Sequence, residues 1–395
     1  MATFESDTFF RVLFSREEDT LLDYLKNLDG SIPAEQLDKL FHTIIQNKYW
    51  HTLEYCITQH RIETDLFEYE SFARTPVHTL LVPLFLKEED WQVYLPLLGR
   101  FLRDIDDIDE EVAGHNLLSY AIENKSPLPV LRALADAGIT MNYRSQYGLT
   151  YLHQYCRQLR MPPPGAMETL RFLLDSGVDI NARTVAQTTA LFQAVECAHI
   201  PATKMLLENG VDVNQADTKG ITVFYIAAVH QQNPEMFRLL LEYGTPDVTH
   251  LTREGENLLN AFLRFIQPNT GSLEILRLLL LNGASLTDTS TYYHKPKSGI
   301  DWVAEKPSEI LAFLLDEGAI AVNDRDNAGN TILMKVCAYP SNHEEPKAKD
   351  SYRKVKMLLK NGADPELENT EDKKAVDYAM EDQLKTKIVQ VLLGR

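Results

Sequence analysis

A histidine and a cysteine lie three residues apart in the stretch GLTYLHQYC, at His153 and Cys156. On a helix this spacing brings the two side chains together, so that an imidazole could activate a thiolate as a nucleophile. The alternative is a structural histidine near a cysteine in the helix interior, which acts as a small apolar side chain. Four cysteines with no pairing pattern are typical of a reducing compartment.

Two acidic stretches could in principle bind a cation. Asp324 opens a segment that begins like a calcium loop, but the twelfth position is Lys335, where a bidentate glutamate is needed. The run DIDDIDEE, residues 104–111, lacks the glycine of such a loop, and a solvated acidic turn accounts for it better. The histidines and cysteine at positions 42, 51, 56 and 60 follow no zinc spacing. The sequence therefore predicts no catalytic residue, no metal and no cofactor.

Charge and hydropathy narrow the classes of partner. The 395 residues include 39 basic and 57 acidic ones, a net charge of −18, which disfavours nucleic acid and anionic membranes. Apolar runs such as LLVPLFL fall short of the roughly 20 residues that span a bilayer, and the first residues lack the apolar core of a secretory signal. We expect a cytoplasmic protein that binds another protein, with no membrane insertion and no small-molecule substrate.

The elements that would position these residues repeat along the chain. Leu-rich segments end at a glycine, and about a dozen residues later a new helix is predicted to start. The glycines are Gly99, Gly138, Gly177, Gly210, Gly244, Gly283, Gly318 and Gly362. The predicted helix starts are Thr75, Asn116, Thr150, Thr189, Thr222, Asn257, Asp301, Thr331 and Lys374, which lie 30 to 44 residues apart.

These segments resemble the ankyrin repeat. RTPVHTLL and GLTYLHQYC match the start of its pattern, and GVDINAR and GVDVNQA match its end. The resemblance implies an all-α ankyrin-repeat solenoid of helix-turn-helix units with β-hairpin-like fingers, about nine or ten units in all. It also implies that His78 and His153, which match a family histidine, tie each helix start to the adjoining turn.

The resemblance is specific from about residue 110 onward and thin before it. We therefore expect residues 1–110 to form an N-terminal helical cap with degenerate repeats. Residues 111–395 would form the ankyrin-repeat array, whose C-terminal unit, residues 363–395, acts as a cap because the end of a repeat stack needs a polar outer face.

Ankyrin-like arrays commonly bind proteins through finger tips and the exposed ends of inner helices on the concave side. The resemblance thus implies a non-enzymatic interaction scaffold. Because arginine and aromatic side chains are frequent anchors of protein interfaces, the partner is expected to have an acidic or mixed surface. The repeat register nominates Arg144, Tyr147, Arg157, Arg183, Lys219, Arg253, Arg264, Phe265, Tyr292, Tyr293 and Arg325 as partner-binding residues.

Two fingers are predicted to be longer than the rest. Gly99 lies 17 residues before Asn116 and Gly283 lies 18 before Asp301, whereas the other glycines lie 12 or 13 residues before a helix start. Tyr292 and Tyr293 belong to the second of these fingers, and extra loop length on a scaffold commonly carries recognition.

Two other functions stay open. One is a bacterial effector or inhibitor that acts on a host or cognate target protein, in which case the chain would be translocated into a host cytosol. The other is an enzyme hidden in residues 1–110, although that segment shows no pairing of a nucleophile with a base.

Overall fold

The computed structural model describes residues 4–394. The chain divides into two compact units: unit 1 contains residues 1–185 and 189–211, and unit 2 contains residues 186–188 and 212–395. The boundary predicted at residue 110 lies within unit 1, and that domain division stays a prediction.

Unit 1 is built of short helices connected by turns. Its α-helices are α1 (Ser6–Leu13), α2 (Glu18–Asn27), α3 (Ala34–Asn47), α4 (Trp50–Thr58), α5 (Pro76–Leu81), α6 (Trp91–Arg103), α7 (Leu117–Glu123), α8 (Leu128–Asp136), α9 (Tyr151–Arg157), α10 (Ala166–Asp175), α11 (Ala190–Glu196) and α12 (Ile200–Glu208). Three 3₁₀ turns, Leu66–Glu68, Glu88–Asp90 and Gln158–Arg160, complete its described elements.

Unit 2 continues the same helical pattern and adds a two-stranded sheet. Its elements are α13 (Val223–Tyr225), which runs on into a π-helical turn (Ile226–His230), α14 (Pro234–Leu241), α15 (Leu258–Phe265), α16 (Thr270–Leu281), β1 (Thr289–Tyr292), β2 (Lys295–Ser298), α17 (Gly299–Glu305), α18 (Ser308–Asp316), α19 (Ile332–Ala338), α20 (Glu345–Lys360), α21 (Ala375–Met380), a 3₁₀ turn (Gln383–Lys385) and α22 (Thr386–Leu392). The strands pair in antiparallel fashion, with Thr289 opposite Ser298 and Tyr292 opposite Lys295.

The helices follow one another as pairs of an inner and an outer helix. Within residues 4–394 there are ten such pairs, from α3–α4 to α21–α22, and the predicted all-α ankyrin-repeat fold is confirmed. Apolar rows of both helices are buried, as Phe224 and Leu206 illustrate, each with no exposed surface. A single pair cannot cover both of its apolar faces, so neighbouring pairs must stack to form a core.

Capping residues fix where the inner helices begin. The Thr222 hydroxyl accepts a hydrogen bond from the N–H of Tyr225 at 3.2 Å, and the side chain of Asn116 accepts one from the N–H of Ser119 at 2.9 Å. Because these oxygens satisfy N–H groups that have no partner inside the helix, each cap adds about 1 kcal/mol of helix stability. Both residues are helix starts predicted from the sequence.

One predicted helix start is wrong by three residues. The helix α17 is capped by Ser298, whose hydroxyl accepts from the N–H of Asp301 at 3.2 Å, while the Asp301 carboxylate accepts from the N–H of Ser298 at 2.7 Å. Asp301 is thus the third residue of the helix in a reciprocal capping box. With Ser298 as the start, Asn257 lies 41 residues before it and Thr331 lies 33 after it, which is close to the ankyrin period.

The second correction concerns Gly99. This glycine lies inside α6, which continues to Arg103 and is capped at Asp104, so it does not end an outer helix. The finger that carries DIDDIDEE is therefore not lengthened. The finger after Gly283 is longer than most, since 15 residues separate Gly283 from Ser298, and it forms the β1–β2 hairpin.

Candidate functional site

Each finger tip in unit 2 is shaped by a polar side chain that accepts backbone N–H groups. Oδ1 of Asp217 accepts from the N–H groups of Lys219 and Ile221, both at 2.8 Å. Gly220 completes the turn with φ +76, and an added Cβ there would lie 2.9 Å from Cα of Thr252 on the next finger. Only glycine accommodates both the left-handed backbone and this close approach.

Backbone hydrogen bonds link adjacent finger tips and place two predicted residues side by side. The N–H of Arg253 donates to the carbonyl of Lys219 at 2.8 Å. The side chains of both residues are exposed, and neither forms an ion pair within the described residues. Two cations on neighbouring tips can therefore contact an acidic partner without first breaking an internal salt bridge.

The predicted residues of unit 1 lie on exposed finger and helix-end positions. Arg144 forms an exposed ion pair with Asp179 at 2.9 Å, and Tyr147 is 62% exposed. The N–H of Val185 donates to the carbonyl of Tyr147 at 2.9 Å, and Val185 is itself 69% exposed. Arg157 and Arg183 are also exposed. Sequence analysis missed Val185, because an apolar residue in a turn carries no signal of exposure.

Four predicted residues of unit 2 meet in one group, which we call the Arg264 cluster: Arg264, Phe265, Tyr292 and Tyr293. The Arg264 guanidinium lies 4.6 Å from the Phe265 ring centroid and 6.0 Å from that of Tyr292. The rings of Tyr292 and Tyr293 meet edge to face at 4.6 Å. Such contacts between cations and rings are worth about 0.5–1 kcal/mol at exposed sites, so they hold the cluster in a defined geometry.

A buried carboxylate orients the guanidinium of this cluster. Oε1 of Glu256 lies 3.1 Å from Nη1 of Arg264, and the Glu256 side chain is buried. Burial raises the pKa of Glu256, although the Arg264 charge opposes that shift. Losing Arg264 would leave a buried acid without its partner, so this arginine has a structural role as well as an exposed edge.

The two neighbouring tyrosines face different surroundings. Tyr292 packs on the buried Trp302 with ring centroids 4.9 Å apart, and Nζ of Lys297 lies 3.5 Å from the Trp302 centroid. Lys297 is also paired with Glu305 at 2.7 Å. Tyr293, at the hairpin turn with φ 46, is 80% exposed. Tyr292 thus anchors the hairpin, and Tyr293 presents a free ring.

The remaining predicted residue is separate from the cluster. Arg325 is exposed on a later finger, and no contact with the Arg264 cluster is recorded among the described residues. Sequence analysis also missed Trp302, Lys297 and Glu256. The period-two alternation of the hairpin, which points Ser290, Tyr292 and Lys297 to one side, was the available signal for the first two.

The side chains that resembled a nucleophilic pair have structural roles. Nδ1 of His153 lies 2.9 Å from the Thr150 hydroxyl and 3.2 Å from the Thr150 nitrogen, so the imidazole caps its own helix. Cys156 is fully buried, and burial raises the pKa of its thiol. A neutral, buried thiol is a poor nucleophile. His78 differs from the expectation, since its Nδ1 bonds to the hydroxyl of Tyr120 at 2.7 Å.

Searches for a metal cluster and for a membrane-crossing helix covered the described residues. Within 4–394, no three His, Cys, Asp or Glu side chains lie together as metal ligands would. None of the helices that the structure describes combines the length and apolar character needed to cross a membrane.

Comparisons with known proteins agree with this architecture. The family profile described as ankyrin repeats in three copies matches residues 118–217, 164–252 and 191–290. The chain is similar to ankyrin repeat and SOCS box protein 6 of Homo sapiens, with 26% identity over 217 residues that cover 49% of this chain and 51% of that protein. The chain thus spans about half the length of this relative.

Two further matches complete the comparison. The structure of the ankyrin repeat domain of Bcl-3, described as a member of the IkappaB protein family, aligns with a TM-score of 0.49 at 21% identity and covers 63% of this chain and 100% of that one. A fowlpox virus (strain NVSL) protein described as an ankyrin repeat protein is 31% identical over 173 residues, which cover 42% of this chain and 84% of that protein. The chain therefore belongs to the ankyrin-repeat family.

Proposed function

We propose that the chain is a non-enzymatic interaction scaffold that binds a partner protein with an acidic or mixed surface. Ankyrin repeats generally mediate contacts between proteins. The observation that carries the proposal is the Arg264 cluster, where an oriented guanidinium lies between the exposed ring of Phe265 and the tyrosines of the hairpin. Arginine and aromatic side chains in such groups are the commonest anchors of protein interfaces.

The finger tips supply the electrostatic part of the proposed surface. Lys219 and Arg253 present two unpaired cations in a chain of net charge −18. Acidic groups of a partner would be attracted to these tips and repelled by most of the remaining surface, so charge would select the orientation of binding. Desolvated aromatic rings of Phe265 and Tyr293 would then supply most of the binding free energy.

Affinity capture with matched variants tests the proposal. The immobilised chain is exposed to a lysate of its producing cells, and proteins retained by wild type are compared with those retained by the double variant Phe265→Ala, Tyr293→Ala. Removal of two exposed ring anchors is expected to weaken a captured partner at least tenfold, since truncated anchors cost about 2 kcal/mol each.

The control is Leu281→Ala, a side chain of unit 2 that is 75% exposed at the end of the outer helix α16. It should retain the partner like wild type. Circular dichroism verifies that all three proteins are folded. Equal retention by the double variant and by wild type would disprove the proposed surface.

A further inference from the structure

A groove runs between the outer helices α6 and α8 of unit 1. It encloses about 940 Å³, and its walls are formed by eleven residues of the two helices. Leu95, Leu128 and Pro129 are half-buried there and give the groove an apolar floor. The groove lies on outer helices, away from the finger and inner-helix residues of the proposed function, so it is a separate surface of the same unit.

The walls follow helical periodicity. On α6, Leu95, Gly99 and Arg103 are spaced four residues apart, so they share one face of the helix. On α8, Ala133 and Ala137 form a second row with the same spacing. Small side chains in both rows leave the backbones accessible, and this allows another helix to approach closely.

Gly99 accounts for the depth of the groove. It lies inside a helix, and its φ is outside the left-handed region, so its backbone does not require glycine. An added Cβ would meet only Nη1 of Arg103, at 3.7 Å. Alanine at such a helical position would be more stable by roughly 1 kcal/mol, so the glycine keeps space open at a cost in stability.

The charges of the groove oppose those of the chain. Three arginines, Arg100, Arg103 and Arg132, line it against one acid, Asp136, although the net charge of the chain is −18. Arg100 is paired with Glu54 at 3.0 Å and Arg132 lies over the Phe172 ring at 5.8 Å. Arg103 is exposed and forms no ion pair among residues 4–394.

We propose that this groove binds an amphipathic helix of a partner protein, with small apolar residues on one face and carboxylates near one end. Small and apolar side chains of the groove match the apolar face, and the unpaired Arg103 with its two arginine neighbours matches the carboxylates. Nucleic acid could supply negative charge but no apolar face, and the acidic chain repels it.

A synthetic helical peptide of about four turns is the probe. It carries Leu and Ala at positions i, i+3, i+4 and i+7 and three glutamates in its last turn, and its binding is followed by fluorescence anisotropy. Wild type should bind it saturably. Gly99→Leu, which fills the groove without disturbing the helix, and Arg103→Glu should each weaken binding at least tenfold. Replacing the peptide glutamates with glutamines should weaken binding and remove its salt dependence.

Matched variants keep the result interpretable. Arg171→Glu changes an exposed arginine of the outer helix α10 that lies outside the groove, and it should bind like wild type. Thermal unfolding of Gly99→Leu checks that the fold is intact. Failure of wild type to bind, or equal binding by Gly99→Leu, overturns the proposal. A concentration-dependent dimer in sedimentation that Gly99→Leu disperses would also overturn it, in favour of a second copy of the chain as occupant.

Discussion

Lys335 neutralises two carboxylates that a cation-binding loop would need free. Its Nζ lies 2.5 Å from Oδ1 of Asp301 and 2.5 Å from Oδ2 of Asp326. Burial alone would raise the pKa of each carboxyl, but the Lys335 ammonium and neighbouring N–H donors outweigh burial and hold both pKa values below their usual range. The lysine at the twelfth position, which argued against calcium in the sequence, therefore has a structural purpose.

We expect Lys335→Met to destabilise unit 2 by about 2 kcal/mol at neutral pH, because it leaves two partly buried carboxylates unpaired. Both folded-state pKa values are lowered, so the stabilisation is present above the ordinary pKa of an aspartate, near 4, and disappears as the pH falls through the folded pKa. Urea unfolding of wild type and variant at several pH values measures the difference.

Lys349→Met is the control for this change. Lys349 pairs with Glu345 at 3.1 Å, but both side chains are at least 70% exposed, so its loss should change the unfolding free energy by less than about 0.5 kcal/mol. An equal effect of the two substitutions, or a Lys335→Met effect that persists at pH 2, would contradict the assigned ion pairs.

Two neighbouring tyrosines show what the sequence could and could not predict at this scale. The repeat register predicted that the segment around Tyr292 and Tyr293 forms a finger, and the hairpin is there. Which ring is exposed depends on strand pairing and on Trp302, since Tyr292 packs on that indole and Tyr293 does not. Such packing is a property of the folded unit, so local sequence could not separate the two residues.

Among the elements, the ends of the inner helices in unit 2 are capped by lysines. Nζ of Lys354 donates to the carbonyl of Ala304 at 2.9 Å, and Nζ of Lys385 donates to that of Cys337 at 2.7 Å. Lys306 donates likewise to the carbonyl of Arg264. Burial lowers the pKa of all three lysines. Each ammonium satisfies a carbonyl near a helix end, where the helix dipole favours positive charge.

We expect Lys354→Met to lower the unfolding free energy by about 2 kcal/mol, because it removes a buried donor and leaves the Ala304 carbonyl and Asp350 without it. Lys356→Met is the matched control on the same helix, since Lys356 is exposed beside the Tyr352 ring. Chemical denaturation of both variants tests the cap. The assignment is wrong if the two substitutions cost the same.

Boundaries of elements were the least predictable part of the fold. Spacing from glycines predicted most helix starts, yet Asp301 was taken for the cap in place of Ser298, because both residue types suit that position. Gly99 was taken for a helix end because Gly commonly follows outer helices. Its place inside α6 follows from the packing of Phe101 and Leu102, which are buried and extend the helix.

On the scale of the whole molecule, the repeat pattern predicted the fold because each unit must contain the same stop, finger and start. Residues 118–290 carry that pattern clearly enough to match the family profile. The eleven predicted site residues are largely exposed, but their grouping in space differs: four form the Arg264 cluster, and Arg325 lies apart from it. Repeat register nominates positions, while side-chain packing decides which of them act together.

The most direct test of the central claim is site-specific photocrosslinking from Tyr293 in the native cell. Benzoylphenylalanine replaces Tyr293, which is 80% exposed, and in a separate sample it replaces Leu281, which is 75% exposed on an outer helix. The account predicts a discrete crosslinked partner from position 293 that is lost in Phe265→Ala, and no such product from position 281. No partner from position 293, or the same products from both positions, would contradict it.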